Sequence, residues 1–274
     1  MRLLLSLFSI FLLTTCLGAA FTAHAAEESA LEKALAEEAG LQPQAPFAGV
    51  TDIAWQAYHV YPAARLTLLA HCPQGFGEGP DAILAEVAKE PFGEVLAAFL
   101  AYADEMGEEV RAETSKALTT GGPLPERSMS DAWYANTVYS VFRPSARYVS
   151  VLFNHHEYTG GAHGNSTYLA LSFDVTTGKR LALGDVFADE QAALALLVPR
   201  IADGVQAQKD ADAPPVDRDP ATVDADMRRL VLVPEGARVY YAPYEMGSYS
   251  EGEFIVELGK DELINMGARA ELWR

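Results

Sequence analysis

The hydrophobic pattern opens with an apolar run, Leu3 to Phe21, preceded by Arg2 and followed by Ala23-His24-Ala25 before Ala26. A short basic start, an apolar middle and a small-x-small site predict a secretory signal over residues 1–25, cleaved after Ala25. Two other fates fit the same residues. The run is close to the length of a membrane span and would serve uncut as an anchor. Cys16, after Leu13-Thr14-Thr15, is a lipidation candidate, although Thr15 fits poorly where a smaller residue is normal. Residues 26–47 are acidic and alanine-rich and end in Gln42-Pro43-Gln44-Ala45-Pro46, the composition of a tether.

Beyond the tether, Ile53–Val60 and Arg65–Ala70 predict two strands split by a turn at Tyr61-Pro62. From Asp81, an N-cap candidate, to Glu109 the spacing becomes helical: Ile83, Leu84 and Val87, then Val95, Phe99 and Tyr102 after a break at Pro91. Residues 119–130, rich in Thr, Gly, Pro and Ser, predict a loop. Tyr134–Phe142 and Arg147–Phe153 flank Arg143-Pro144-Ser145-Ala146 and predict an antiparallel hairpin. In Thr167–Val175, Leu169, Leu171 and Phe173 alternate with Tyr168, Ala170 and Ser172. That period of two predicts a strand with the first set against a core and the second nearer solvent.

Thr176-Thr177-Gly178-Lys179 predicts a turn, Leu181–Leu183 a return strand, and Asp189 the cap of a helix. In that helix Leu194, Leu197, Val198, Ile201 and Val205 share one face, with Pro199 a candidate kink. Residues 209–220 are Asp- and Pro-rich loop. Strands follow near Leu230–Val233, Arg238–Ala242 and Glu253–Leu258. Strands and helices are grouped rather than alternating, which predicts an α+β fold: antiparallel sheets with helices packed on one face, in two closely packed subdomains, 48–175 and 176–274.

Charge narrows the partners. The predicted signal holds only one of the 20 basic residues and none of the 38 acidic ones. A chain this acidic is a poor nucleic-acid binder, because phosphate contact needs a basic surface. It steers toward cationic partners, or its charge simply keeps an exported protein soluble. With Cys16 in the signal, Cys72 has no partner for an intrachain disulfide. Cys72 beside His71 reads either as a reactive thiol or as a small buried hydrophobe.

Two clusters carry candidate chemistry. The first is His155-His156-Glu157-Tyr158-Thr159-Gly160-Gly161-Ala162-His163-Gly164-Asn165, expected to be a loop or bulge at a sheet end. His155, His156, Glu157 and His163 would suit zinc chemically. Against that, neighbouring histidines on a strand point oppositely, and His163 is equally suited to pinning a tight loop. The second is Tyr240-Tyr241-Ala242-Pro243-Tyr244-Glu245-Met246-Gly247-Ser248-Tyr249, whose tyrosines read as a recognition surface for sugar or protein, or as rungs of a sheet. Gly-x-Ser-x-Gly, a phosphate-binding glycine loop, His-Glu-x-x-His and Cys-x-x-Cys are all missing. No cofactor is called for.

Three blocks resemble a known family. Glu157–His163, then Phe173-Asp174-Val175-Thr176-Thr177-Gly178-Lys179-Arg180-Leu181-Ala182-Leu183-Gly184-Asp185-Val186-Phe187, then Tyr241–Gly252 fit, in order and spacing, the paired domains of unknown function of RsiV-type anti-sigma factors. The same pair precedes the catalytic domain of PdaC-type peptidoglycan deacetylases, and the resemblance spans roughly residues 50–260. In the RsiV type the extracytoplasmic part binds lysozyme. The resemblance therefore implies a non-catalytic envelope module for a lysozyme-like cationic protein or a wall glycan. Tyr158, Gly160, Gly161, His163, Tyr244, Glu245 and Tyr249 would be its contact residues. Only Met1 and Arg2 precede the apolar run, where RsiV-type proteins carry a sigma-binding segment, and the deacetylase domain has no counterpart. The expectation is of the binding half standing alone, exported to the periplasm or secreted, or held by its N-terminus. The alternatives are a metal-dependent hydrolase of wall material acting through His155, His156, Glu157 and His163, and a purely structural envelope protein.

Overall fold

The computed structural model of the chain describes residues 48–60, 66–105, 112, 116, 120 and 133–274. The predicted signal with Cys16, the tether 26–47, the Tyr61-Pro62 turn and, except for Thr120, the loop 119–130 lie outside the described residues. Among those described, no helix is long and apolar enough to cross a membrane.

The β-branched and aromatic runs form the expected strands β1 Thr51–Val60, β2 Leu66–Gln74, β3 Trp133–Phe142, β4 Tyr148–Tyr158 and β5 Asn165–Asp174, and a two-residue β6, Lys179–Arg180, forms where a turn was expected. They make one six-stranded sheet in sequence order, antiparallel at every pair except β2 with β3. That parallel pair is a departure from the antiparallel expectation. A parallel pair needs a long crossover, and the helix α1, Glu78–Glu105, lies in it.

Along α1 the residues Leu84, Ala88, Phe92, Val95 and Phe99 recur at helical spacing, and all are buried against Leu68, Ala70, Val151, Phe153 and Leu171 of the sheet. The helix runs unbroken through Pro91, contrary to the predicted break. Proline costs a helix interior roughly 3 kcal/mol. Burying Ala88, Phe92 and Val95 on either side offsets that, since a buried Val or Phe contributes about 1.5–3 kcal/mol.

The chain then makes β6 and the one-turn helix α2, Leu183–Val186, where a return strand was expected. Asp185 accounts for the difference: its carboxylate accepts from Ala182 N at 2.9 Å and from Lys179 Nζ at 2.5 Å, which caps a helix start. The helix α3, Glu190–Gln206, is capped as predicted by Asp189, which accepts from Ala192 N at 3.0 Å, and it continues through Pro199. After the short α4, Pro220–Val223, a three-stranded antiparallel sheet follows: β7 Leu230–Val233, β8 Gly236–Tyr241 and β9 Phe254–Gly259. The helix α5, Lys260–Asn265, closes on it.

Pro46–Arg274 is one packed unit. Leu197, Ile201 and Val205 of α3 bury against Leu230, Val239 and Val256. The other face of the small sheet packs on the large one, through Val231, Val233 and Tyr240 against Leu152 and Ala170. This sandwich corrects the expectation for β5: Ala170 and Ser172 are as buried as Leu171 and Phe173. Ser172 is tolerated there because its hydroxyl meets that of Ser150 at 2.7 Å, and Ser150 accepts from Leu232 N at 3.1 Å.

Candidate binding site

The register of β4 with β5 continues to Glu157 opposite Asn165. His155, His156 and Glu157 are therefore strand residues, not part of a loop as expected, and the connection shrinks to Thr159–Gly164. Gly160 (φ +97°) and Gly161 (φ +104°) adopt backbone that only glycine takes without strain. Tyr158 Oη donates to the Gly161 carbonyl at 2.9 Å and ties the loop down.

That loop delivers His163. Its Nδ1 lies 3.1 Å from the Gly164 carbonyl, which can only accept, so Nδ1 carries the proton and Nε2 accepts from Tyr244 Oη at 3.0 Å. The imidazole also stacks on Tyr249, with ring centroids 3.7 Å apart and planes within 13°. Tyr244 and Tyr249 approach each other at 5.6 Å. The two sequence clusters thus meet in one aromatic patch. Tyr244 is 58% exposed and Tyr249 39%, and among the described residues Leu196 is the one other large hydrophobic side chain so exposed.

The β8–β9 connection is stiff for a definite reason. Tyr244 holds φ +74°, the left-handed region that non-glycine residues avoid at a cost on the order of 1–3 kcal/mol. Glu245 stabilises it: its carboxylate accepts from Ala242 N at 2.7 Å and from Arg229 Nη1 at 2.7 Å. Farther along, Glu251 accepts from Lys209 Nζ at 2.8 Å and from Ser248 N at 2.7 Å, and these donors hold its carboxyl down at about 2. Tyr240 and Tyr241 are sheet rungs, both buried.

Of the seven contact residues anticipated, His163, Tyr244 and Tyr249 form the presented surface, Tyr158, Gly160 and Gly161 shape the loop, and Glu245 braces the turn from behind. The zinc alternative does not assemble: His155 binds Thr137 Oγ1 through Nδ1 at 2.8 Å on the α1 side of β4, while His156 approaches Tyr134 on the opposite side. His163 belongs to the patch. Among the described residues no three His, Cys, Asp or Glu side chains converge to hold a metal. Cys72 is fully buried, and burial pushes its thiol up to about 12, so it is no thiolate nucleophile.

One feature escaped the sequence. A cavity of about 300 Å³ opens between α1 and the adjoining ends of β4 and β5, lined in part by Glu90, Glu94, His155, Glu157, Arg228 and Arg229. Burial lowers His155 to about 4, so its ring is neutral near pH 7. Glu157 is raised, first by burial and then by the charge of Glu94. The i, i+2 spacing of His155 and Glu157 was the only sequence signal, since it sets both on one strand face.

No protein-family model matches the chain, and no curated protein does. Solved structures do. A DUF3298-family protein of Bacteroides fragilis aligns over 80% of this chain and 93% of its own, at 16% identity and a TM-score of 0.50. A DUF3298-family protein of Pseudomonas aeruginosa aligns over 82% and 94%, at 13% identity and a TM-score of 0.47. The likeness is one of fold, to a family of domains of unknown function.

Proposed function

We propose that this chain is a non-catalytic binding module of the bacterial cell envelope, of the RsiV and PdaC N-terminal kind, whose partner is a cationic wall hydrolase such as lysozyme. The observation that carries it is the stack of His163 on Tyr249 with Tyr244 bonded alongside, because it joins the two segments that resemble that family's signatures. Exposed tyrosines supply large flat area with little rotamer entropy to lose, and such residues dominate binding at protein interfaces. The braced Tyr244 backbone reduces the ordering cost of association.

Electrostatics support the same partner. A formal charge of −18 speeds encounter with a basic protein and disfavours anionic ones. The predicted signal would bring the domain to the periplasm or cell exterior, where wall hydrolases act. Calorimetric titration of the exported protein with lysozyme at two salt concentrations tests the proposal. Saturable binding of defined stoichiometry that survives high salt is expected; heat that vanishes with salt would leave only charge attraction, and a response to wall glycan instead would move the partner to the glycan itself.

A further inference from the structure

We propose that Lys209 is a positioning residue for the aromatic patch: through Glu251 it sets the Tyr249 ring in its stack on His163. Its consequence for affinity rests on the patch being the binding surface, while the ring geometry stands by itself.

Tyr249 opens a single 3₁₀ turn, Tyr249–Glu251, in the β8–β9 connection. So short a turn is marginal alone, since few backbone bonds repay the residues they fix. Here the Glu251 carboxylate closes it, accepting from Ser248 N at 2.7 Å and from Ser248 Oγ at 2.9 Å. Its other oxygen accepts from Lys209 Nζ at 2.8 Å, which ties the turn to a residue 42 positions earlier. Lys209 is the first of the donors that hold the Glu251 carboxyl at about 2, so the carboxylate stays ionised in any ordinary buffer.

Lys209 is itself well anchored. Its side chain is 8% exposed, rare for a lysine unless it is paired. Nζ lies 5.0 Å from the centre of the buried Phe254 ring, a cation–π contact. The backbone beneath it is fixed from two sides. Lys209 N donates to the Gln206 carbonyl at 3.2 Å, at the end of α3. The neighbouring Gln208 pairs with Ile255 of β9, its Nε2 donating to the carbonyl at 3.1 Å and its Oε1 accepting from the N–H at 3.4 Å. Space is tight as well: a methyl group on Gly247 would fall 2.7 Å from Glu251 Oε2 and 2.9 Å from Lys209 Nζ. The ion pair fills the room under the connection, and glycine at 247 leaves it undisturbed.

The same device occurs twice in the patch. Tyr244 is followed by Glu245, which Arg229 braces, and Tyr249 by Glu251 two residues on, which Lys209 braces. Arg229 lies 5.8 Å from the buried Tyr241 ring, as Lys209 lies over Phe254. Each exposed ring therefore has a carboxylate behind it, and each carboxylate has a cation seated on a core aromatic. Two such fixings suit a surface that is rigid before its partner arrives. Breaking the Lys209 link leaves the Tyr244 brace whole, so it isolates the stacked half of the patch.

The test reads the His163 ring protons by NMR in the purified protein and in Tyr249→Leu, Lys209→Met, Glu251→Gln and the Lys209→Met, Glu251→Gln double variant. Tyr249→Leu gives the signals of an imidazole without the Tyr249 ring current. Lys209→Met keeps an aliphatic stem over Phe254, and Glu251→Gln keeps an acceptor for Ser248, so each removes the charge pair and little else. Both should move the His163 signals most of the way to their Tyr249→Leu positions. The double variant should move them no further than either single one, because both break one link. Lysozyme affinity should fall about fivefold in each, less than in Tyr249→Leu. If Lys209→Met fails to fold, Glu251→Gln carries the same test from the surface. His163 signals unmoved in the folded variants, or shifts that add in the double variant, would overturn the proposal. Signals that move in a protein that takes no lysozyme support the positioning and sink the partner instead.

Discussion

The tip and the base of the β4–β5 hairpin lie only a few residues apart, and they are built on opposite principles. At its tip, His163 has both ring nitrogens engaged, Tyr158 and Tyr244 have their hydroxyls engaged, and what faces outward is aromatic area on a braced backbone. Below the tip, His155 is packed on the α1 side of β4, with Nδ1 on Thr137 Oγ1 at 2.8 Å and Nε2 buried without a partner. A surface whose polar groups are already satisfied gains from area and shape, and suits a macromolecule. A histidine packed away from solvent acts instead through the stability of the sheet and its dependence on pH.

The largest test of this contrast is Tyr244→Ala. It should weaken lysozyme about a hundredfold, the loss typical of an anchoring tyrosine. Calorimetric titration of the variant with lysozyme checks it. Next comes Glu245→Ala, which leaves the Ala242 N–H without its acceptor and Arg229 with only the longer contact to Asp224 at 3.4 Å. A destabilisation of about 1–3 kcal/mol is expected in urea unfolding, with about a tenfold loss of lysozyme affinity as the Tyr244 turn loosens.

Base and tip should also part company in acid. The folded pKa of His155 is lowered to about 4 by burial, against 6.5 for a free histidine side chain. The unfolded chain therefore takes up a proton that the folded chain refuses. Stability from this group is present above pH 6.5 and falls as pH drops from 6.5 toward 4, by on the order of 1–2 kcal/mol between pH 7 and 5. Urea unfolding of His155→Phe should lack that part of the decline. The smallest effect has the opposite sign. Tyr244→Gly relieves the left-handed backbone, so it should gain up to about 1 kcal/mol of stability while losing lysozyme as fully as Tyr244→Ala does. A stability gain accompanied by undiminished affinity would contradict the role given to the side chain.

Much of the fold is legible because its signals are local. The β3–β4 hairpin reads from two apolar runs around Arg143–Ala146, and α3 reads from Asp189 and a helical stripe. What escapes is non-local. Ala170 and Ser172 look like a solvent face because nothing near β5 announces the second sheet that covers them. The parallel pairing of β2 with β3 depends on α1 packing across the sheet, and the same packing carries α1 through Pro91. For the site, His163, Tyr244 and Tyr249 each stand out by residue type, while their meeting joins positions 81 residues apart. Glu94 and Arg228 lie in stretches rich in similar charges, so their convergence on His155 leaves no sequence mark.

The most direct test of the central claim is a pair of calorimetric titrations with lysozyme at high salt, one of the protein and one of its Tyr244→Ala variant. Saturable binding in the first and its loss in the second are predicted. Equal binding by both, or none by the first, would contradict the assignment of the His163–Tyr244–Tyr249 patch as the surface that takes a wall hydrolase.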